Sequence, residues 1–452
     1  MTTPAKALTK AKIGFWTLLC LVMGNMIGSG VFSLPASLAR YGSISLLGWA
    51  FTAGGSLLIA LIFCKLSQEA PNVGGPYAYC KQGLGDFMGF QVAWNYWISM
   101  WVGSSATVVM VVGYLAVFFP SLSHNTNLGF GCGLLIIWGL TALNMLSFKG
   151  SGKFQIITTL LKILPLGAIV IWGLPHMNFD HFYAFNVTEL PHSSAFIATA
   201  TLTMWTFIGL ESATIPSENV ENPKRLIPLA TITGTLLVTL IYMLTQTTII
   251  GLIPNNILQN SPAPFALAAE NIFGHFGALA IALGAIIAAL GSLNGFILIQ
   301  SQIPMAAARD KLFPSFFSKT SRHGTPVRVL FMTGCIMSFV LWMNYDKSLV
   351  EQFTFLITLA TLAALTTYLF SIVSEVVISM KKRKITGGKV SAGSIILSVA
   401  ALAYTLWAIV GAGQEVFFYG SILFFASTPL FVLVRAQYRR KNLRKDNDRP
   451  LS

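Results

Sequence analysis

Long uninterrupted runs of apolar residues dominate the pattern along the chain. A helix needs roughly 20 such residues to cross the hydrocarbon core of a bilayer, and twelve runs reach about that length. They lack the alternation of apolar and polar positions that marks the strands of a membrane barrel. The predicted spans are residues 14–38, 43–66, 87–119, 128–147, 154–174, 194–216, 226–252, 276–307, 327–344, 353–379, 391–411 and 416–436. The predicted fold class is therefore an all-α polytopic membrane protein with twelve transmembrane helices.

The composition excludes an ordinary soluble protein. Hydrophobic residues make up 54% of the 452 residues and charged residues 10%, and the mean hydropathy is +0.70. A soluble protein carries about 25% charged residues, so most of this surface must face lipid. We predict one membrane domain over residues 14–436, preceded by a short cytoplasmic segment, 1–13, and followed by a basic cytoplasmic tail, 437–452.

The distribution of the net charge of +14 predicts the orientation. If the N-terminus lies in the cytoplasm, 26 of the 29 lysines and arginines fall in cytoplasmic segments, and only Arg40 and Lys347 fall outside. The remaining one, Lys162, lies within a span. This asymmetry follows the positive-inside rule and predicts that both termini lie in the cytoplasm. The predicted location is the inner membrane of the cell. The excess positive charge is thus explained by topology, and no nucleic-acid partner is expected.

The residues that carry catalysis or bind metals are not arranged for either purpose. The five cysteines lie in or beside apolar segments without CxxC spacing, so they indicate neither a disulfide framework nor a metal site. His176, Asp180 and His181 are interpreted as a solvated loop. A membrane-embedded enzyme would need a Ser/His pair, paired aspartates or a metal set at membrane depth, and no such set is found. We expect no enzyme activity and no cofactor.

Residues 24–30, Gly-Asn-Met-Ile-Gly-Ser-Gly, weaken the first span. Glycine tolerates non-helical backbone, and the peptide groups that a break exposes must line a cavity rather than face lipid. An exposed cluster of N–H groups at the start of a half-helix suits a carboxylate. The alternative, that these small residues only permit close helix packing, is equally compatible with this stretch alone.

The sixth span contains an acid, Glu211, within Trp205-Thr206-Phe207-Ile208-Gly209-Leu210-Glu211-Ser212. A charge near the bilayer centre costs at least about 2.5 kcal/mol on insertion scales. Glu211 is therefore either protonated or faces a wet cavity, and in both cases it is a candidate proton carrier. The alternative is a carboxyl group held by backbone hydrogen bonds for structure alone.

The fifth span contains Lys162, which lies near its middle and needs acceptors. We expect unwound backbone carbonyls of the first span to supply them, because snorkelling to the interface is strained from this position. The weak points of the first and sixth spans lie five helices apart. That spacing is typical of two inverted five-helix repeats whose discontinuous helices meet at the midplane.

Together these residues resemble the amino acid–polyamine–organocation superfamily, and within it the bacterial arginine/agmatine and basic amino acid/polyamine antiporters. The resemblance covers residues 10–437. Its motifs are GNMIGSGVFSLPASLA (24–39), PNVGGPYAY (71–79), WTFIGLESA (205–213), VENPKRLIPLA (220–230) and AAARDKLFP (306–314). The resemblance implies an inverted-repeat core of ten helices plus two, with broken helices 1 and 6. It also implies transport of a small amino acid or amine and suggests a homodimer.

The resemblance further implies a set of site residues. Substrate-binding positions are Asn25, Met26, Ile27, Ser29, Gly30, Tyr96, Ser99, Met100, Ser104, Trp205, Ile208, Gly209, Phe296 and Thr358. Glu211 matches an acid that couples protons to transport, and Tyr77 matches a cytoplasmic-side tyrosine linked to gating. Lys162, grouped with Glu211 and Tyr77 as a candidate for proton coupling or gating, stands where sodium-independent members have a lysine in place of the ion, which argues against sodium coupling.

Several positions depart from the arginine/agmatine pattern. Phe296 stands in place of a tryptophan, Ser104 in place of an asparagine, and Ser99 and Met100 in place of a small residue and a cysteine. Fewer polar partners remain for a guanidinium. The expected function is exchange of a cationic amino acid for a related amine or amino acid by alternating access. A proton-coupled symporter of broader, neutral specificity is the alternative, and a channel is a remote one because no continuous polar lining is predicted.

Overall fold

A computed structural model describes residues 13–70, 75–146, 152–217, 220–321, 325–386 and 391–447, and the described chain is almost wholly helical. The helices are α1 Phe15–Met26, α2 Ser29–Ala39, α3 Ile44–Glu69, α4 Gly75–Leu84, α5 Asp86–Leu115, α6 Ser121–His124, α7 Thr126–Met145, α8 Gly152–Gly173, α9 His192–Met204, α10 Pro223–Leu252, α11 Asn255–Leu258, α12 Pro264–Arg309, α13 Val327–Met343, α14 Leu349–Thr386, α15 Ala392–Val410 and α16 Gln414–Asn447. Short 3₁₀ turns occur at Leu174–His176, Phe179–Phe182, Trp205–Phe207, Leu210–Thr214 and Ser315–Ser318.

These helices confirm the all-α polytopic class. Within the described residues, eleven helical stretches are long and apolar enough to cross a membrane, and α13, with 17 residues, is a shorter apolar helix at the position of the ninth predicted span. Each of the twelve predicted spans thus has a helical counterpart. Residues 1–12 and 448–452, which belong to the predicted terminal segments, lie outside the described residues.

Helices α4, α12 and α16 are among the elements that differ from the prediction. Helix α12 begins at Pro264, twelve residues before the predicted start of its span, and bends at Gly274. The φ of Gly274 is +71°, a value that glycine adopts readily. Helix α4 was not predicted, because its ten residues are too few to form a span. Helix α16 continues to Asn447, so the predicted tail begins inside a helix. Its lysine and arginine residues are good helix formers, and no glycine or proline lies between Pro429 and Asn447 to end it earlier.

The core is built around α5, which lies almost entirely inside the molecule and packs against α12 and α14. Helix α3 packs against α9 and α10, and α1 packs against α8 and α10. Helix α16 lies at the periphery, where most of its apolar side chains are exposed. The two weak points of the sequence therefore sit in helices that face the interior, where a broken backbone can find partners.

Candidate functional site

The first span is broken between α1 and α2. Ile27 is extended, with ψ of 93°, and Gly28 has φ of −136° and ψ of −146°. The last regular helical bond of α1 ends on Met23 O, and two later carbonyls, which lack helical partners, accept from side chains instead. The N–H of Ile27 donates to Met23 O at 2.8 Å, Lys162 Nζ donates to Gly24 O at 2.7 Å, and the Tyr242 hydroxyl donates to Met26 O at 2.6 Å.

The ammonium group of Lys162 is therefore part of the break. Its side chain is 2% exposed, and Thr159, one turn earlier on α8, donates to Cys20 O at 3.1 Å. The expectation that carbonyls of the first span accept from Lys162 is confirmed, although the acceptor belongs to the last turn of α1 rather than to the extended residues. Two hydrogen bonds from α8 thus hold α1, one at Cys20 near its middle and one at Gly24 in its last turn.

The sixth span is broken at Ile208 and Gly209. Helix α9 tightens into a 3₁₀ turn at Trp205–Phe207, Ile208 is extended, and Gly209 has φ of +110°. A Cβ atom at Gly209 would lie 3.1 Å from Asn25 Cβ, so glycine is required both by the dihedral angle and by the close approach of α1. Asn25 Nδ2 also donates to Ser212 Oγ at 2.7 Å. The two breaks are in direct contact, as the five-helix offset predicts.

Glu211 lies next to the second break and is fully buried. Its Oε1 accepts from the Tyr96 hydroxyl at 2.8 Å, and its Oε2 accepts from the Tyr368 hydroxyl at 2.7 Å and from the Gly209 N–H at 3.1 Å. Three donors from α5, α14 and the break thus converge on the two oxygens. This arrangement suits an ionised carboxylate, which only accepts.

A small cavity lies between the two breaks on one side and α5 and α12 on the other. Its volume is about 20 Å³, which holds about one water molecule. The residues that line it are Asn25, Met26, Gly28, Ser29, Gly30, Ser99, Met100, Gly103, Ser104, Trp205, Thr206, Ile208 and Phe296. Ten of the predicted substrate-binding residues are among them, and they come from four separate spans.

The indole of Trp205 lies between the breaks and α5. A Cβ atom at Gly103 would lie 2.1 Å from Trp205 Cη2, and one at Gly30 would lie 2.9 Å from Trp205 Cδ1. Both glycines therefore make room for the ring. Because the remaining volume is too small for an amino acid, entry of one requires Trp205 or the packing of α5 against the breaks to shift.

The family of the chain follows from comparison with known proteins. A family model described as amino acid permease matches residues 13–433. The chain belongs to this family. The match confirms the resemblance to the amino acid–polyamine–organocation superfamily.

Several curated relatives of this permease are named for the compounds that they carry. It is 32% identical to the putative arginine/ornithine antiporter of Bacillus subtilis (strain 168), over 95% of this chain and 98% of the relative. It is 30% identical to the putrescine transporter PotE of Escherichia coli (strain K12), over 95% and 98%. It is 32% identical to the cadaverine/lysine antiporter of the same strain, over 72% and 73%.

Four predicted substrate-binding residues of the permease do not line the small cavity. Ile27 and Gly209 form the breaks themselves, and Tyr96 lies behind Met100 and Ile208 with its hydroxyl on Glu211. Thr358 lines a different cavity, of about 740 Å³, together with Arg40, Glu351 and other residues at one end of the molecule. The reason is the length of α14: Thr358 lies ten residues before Tyr368, about 15 Å along the helix.

Tyr77, the predicted gating residue, lies on α4 at the end of the permease where α12 finishes. Its hydroxyl donates to Asp310, and Lys81 Nζ contacts the same carboxylate at 2.7 Å. Tyr77 and Lys81 reach the same carboxylate because residues four apart lie on the same face of a helix. The hydrogen bonds link α4 to the end of α12.

Sequence reasoning missed four residues beside the breaks or the cavity: Tyr242, Tyr368, Thr206, which lines the cavity, and Gln300, whose side chain bonds to Ser104. Both tyrosine side chains are fully buried, and each reaches a polar group of the site. A signal was present, because a buried tyrosine hydroxyl in an apolar span needs a hydrogen-bond partner. The sequence did not indicate which partner, since that depends on how α10 and α14 pack.

Proposed function

We propose that the permease exchanges a cationic amino acid for a related amine or amino acid by alternating access. The observation that carries this proposal is the cavity where two helix breaks meet, with the buried Glu211 bonded directly behind it. Relatives named as arginine/ornithine and cadaverine/lysine antiporters support the same substrate class. Transporters with broken helices bind their cargo at this kind of junction.

In this proposal the substrate carboxylate binds at the start of α2. The N–H groups of Ser29 and Gly30 belong to the first turn of an eleven-residue helix, whose positive end favours an anion. The amino group would bind carbonyl oxygens that the two breaks expose. The side chain would then extend toward α5 and α12, among Trp205, Met100 and Phe296. A cationic group over the Trp205 ring would gain a cation–π interaction, and Thr358 would lie on the access path.

Glu211 is proposed to couple protons to this cycle. The ionised carboxylate accepts from three donors, but a protonated one must itself donate to an acceptor. The Gly209 N–H cannot accept, so the Tyr96 or Tyr368 hydroxyl would have to turn round. Tyr96 packs against Met100 and Ile208 at the cavity, so protonation would alter the wall of the substrate site.

The proposed location is the inner membrane, with both termini in the cytoplasm. This orientation is supported by the asymmetry of the basic residues. It places Tyr77, Lys81 and Asp310 at the cytoplasmic end and Arg40 and Glu351 at the outer end. Tyr77 would then help to close the cytoplasmic side, while homodimer formation stays a prediction.

Exchange in proteoliposomes tests the proposal. Vesicles are loaded with one unlabelled compound at a time, from arginine, ornithine, lysine, agmatine, putrescine and neutral amino acids, and labelled uptake is followed in sodium-free buffer. We expect uptake that depends on internal substrate and is strongest for a cationic pair. Uptake into empty vesicles that is driven by a proton gradient and strongest for neutral amino acids would instead identify a symporter.

A further inference from the structure

A short relay of hydrogen bonds runs from α13 through α12 to the cavity. Gln300 on α12 is 1% exposed, and its Oε1 lies 3.1 Å from Ser104 Oγ. Its Nε2 lies 3.5 Å from the Met337 sulfur on α13. Ser104 lines the cavity between the breaks and α5, whereas Gln300 and Met337 lie behind it.

The chemistry of the relay sets its direction. A thioether sulfur can only accept a hydrogen bond, so it favours the amide nitrogen of Gln300 and turns the amide oxygen toward Ser104. That oxygen can only accept, so Ser104 must donate its single hydroxyl hydrogen to it. Toward the cavity, the Ser104 oxygen then presents lone pairs alone.

A second hydroxyl of the same wall is available to a ligand. Ser99 is fully buried and lines the cavity, and its Oγ has no hydrogen-bond partner among the described residues. A buried hydroxyl without a partner costs free energy unless something that enters the site pairs with it. The wall formed by α5 therefore offers an acceptor at Ser104 and an unengaged hydroxyl at Ser99.

We propose that Gln300 is a specificity-determining positioning residue, which fixes Ser104 as a hydrogen-bond acceptor for the distal ammonium or guanidinium group of the substrate. The inference rests on the proposed function, because it assumes that amino acids or amines enter this cavity. A substrate that ends in a methyl group would leave the oriented Ser104 oxygen unpaired, and sites built in this way discriminate strongly against such analogues.

Ligand-induced stabilisation of the purified full-length permease tests the inference separately from transport. Ornithine and norvaline share a five-carbon backbone, but only ornithine carries a terminal amine. The shift in Tm with ligand concentration reports an apparent affinity for each. In Gln300→Leu the Ser104 hydroxyl is free to turn, so we expect the preference for ornithine over norvaline to fall about tenfold, as for loss of one hydrogen bond to a charged group.

Three further variants sharpen the test. Met337→Leu keeps the packing volume but removes the sulfur, and should reduce the preference in the same direction. Gln91→Leu is the matched control, because Gln91 is an equally buried glutamine on α5, bonded to Phe424 O and Ser427. It should leave the preference unchanged. Gln300→Leu added to Ser104→Ala should change the preference no further, since coupled residues are not additive.

An unchanged preference in Gln300→Leu, or an effect that adds fully to that of Ser104→Ala, overturns the inference. If Gln300→Leu does not fold, Met337→Leu decides the question, tested alone and in the Ser104→Ala background. A wild type that prefers ornithine in binding but shows no exchange would contradict the proposed function while leaving the inference standing. If the wild type exchanges ornithine and every variant keeps the wild-type preference, the inference is contradicted and the proposed function stands.

Discussion

At the scale of single residues, Glu211 and Lys162 both place an ionisable group in the interior of the permease, but their surroundings differ. Lys162 donates to one backbone carbonyl at the end of α1. Glu211 receives three hydrogen bonds, and one of the donors, Tyr96, packs against Met100 and Ile208, which line the cavity. We therefore expect a change of protonation at Glu211 to reach the proposed substrate site through Tyr96, and a change at Lys162 to reach it through the shape of the break.

Replacement of Glu211 by glutamine tests its role as proton carrier. Glutamine has nearly the same shape but cannot gain or lose a proton near neutral pH. In Glu211→Gln we expect the rate of exchange between about pH 5 and pH 8 to lose its pH dependence while substrate still binds. Exchange rates across that range and ligand-induced Tm shifts are the measurements.

A second buried carboxyl group provides the control. Glu375 is 1% exposed and accepts from Ser379 and Ser398, beside Lys65. It lies away from the cavity residues, so Glu375→Gln should retain the pH dependence of the wild type. A normal pH profile in Glu211→Gln would remove Glu211 from the coupling mechanism.

The sequence predicted Glu211 and Lys162 as site residues because a charge in an apolar span is costly. That rule needs no knowledge of the neighbouring residues. Tyr368 and Gln300 escaped for the opposite reason. Each is one of several uncharged polar residues on a long apolar helix, and whether such a residue faces lipid, a carbonyl or the cavity depends on how the helices are rotated. Thr358 shows the same difficulty, because its depth along α14 places it in the larger cavity.

At the scale of helices, the two breaks form one unit rather than two separate weak points. Gly209 carries a positive φ and lies against Asn25 of α1, so the geometry of the second break is adapted to the first. Alanine at this position would pay for a left-handed backbone, about 1–3 kcal/mol, and would also push its Cβ atom against α1. The contact between Gly209 and Asn25 is therefore one of those that keep the two breaks together, beside the Asn25–Ser212 hydrogen bond.

We expect Gly209→Ala to lower the Tm of the purified permease and to reduce exchange more than tenfold, because the two breaks separate. Thermal unfolding in detergent and the exchange assay measure the two effects. Gly139→Ala on α7 is the matched control, since a Cβ atom there meets nothing within 4 Å and alanine favours helix by up to about 1 kcal/mol. A Gly209→Ala variant as stable and active as Gly139→Ala would show that the breaks tolerate separation.

The helices themselves were largely predictable, and their ends were not. Apolar length alone located the twelve spans, and glycine content located both breaks. Helix α4 is short and carries Tyr77, Lys81 and Gln82, so a criterion based on apolar length passes over it. The early start of α12 was missed because of Gly274. From the sequence, a glycine at this position is as compatible with the end of a helix as with a bend inside one.

At the scale of the whole molecule, α14 connects two differently constructed ends. Near its start, Glu351 and Arg40 border the cavity of about 740 Å³, with 3.8 Å between Arg40 Nη1 and Glu351 Oε1. Near its finish, Lys381 Nζ donates to Gly83 O at 3.1 Å, on the helix that carries Tyr77 and Lys81. Alternating access requires that one end be closed when the other is open, and Asp310 is the group that ties α4 to α12 at the second end.

The titration of Asp310 separates closure of this end from proton coupling. Partial burial opposes its ionisation, but hydrogen bonds from Lys81 and Tyr77 and the charge of Lys81 outweigh burial, so the pKa of Asp310 lies below its usual value of 3.8. A lowered pKa means that the pairing is complete above pH 3.8 and is lost only as the pH falls through the lower, paired value. Exchange at about pH 5 to pH 8 therefore does not titrate this contact.

Asp310→Asn should consequently open the α4 end without changing the pH profile. Lys81 and Asp310 are 33% and 42% exposed, and a pair of this kind contributes about 0.2–1 kcal/mol, which corresponds to at most about a fivefold shift in population.

The reporter is Cys80, which lies on α4 between Tyr77 and Lys81 and is fully buried. With Cys20, Cys64, Cys132 and Cys335 replaced by serine, maleimide labelling of Cys80 at fixed pH should accelerate by that factor. Arg40→Gln, at the other end of α14, should not accelerate it. If Asp310→Asn instead flattened the pH dependence as Glu211→Gln is expected to do, the proton would be sensed at the α4 end, and Glu211 would have only a structural role.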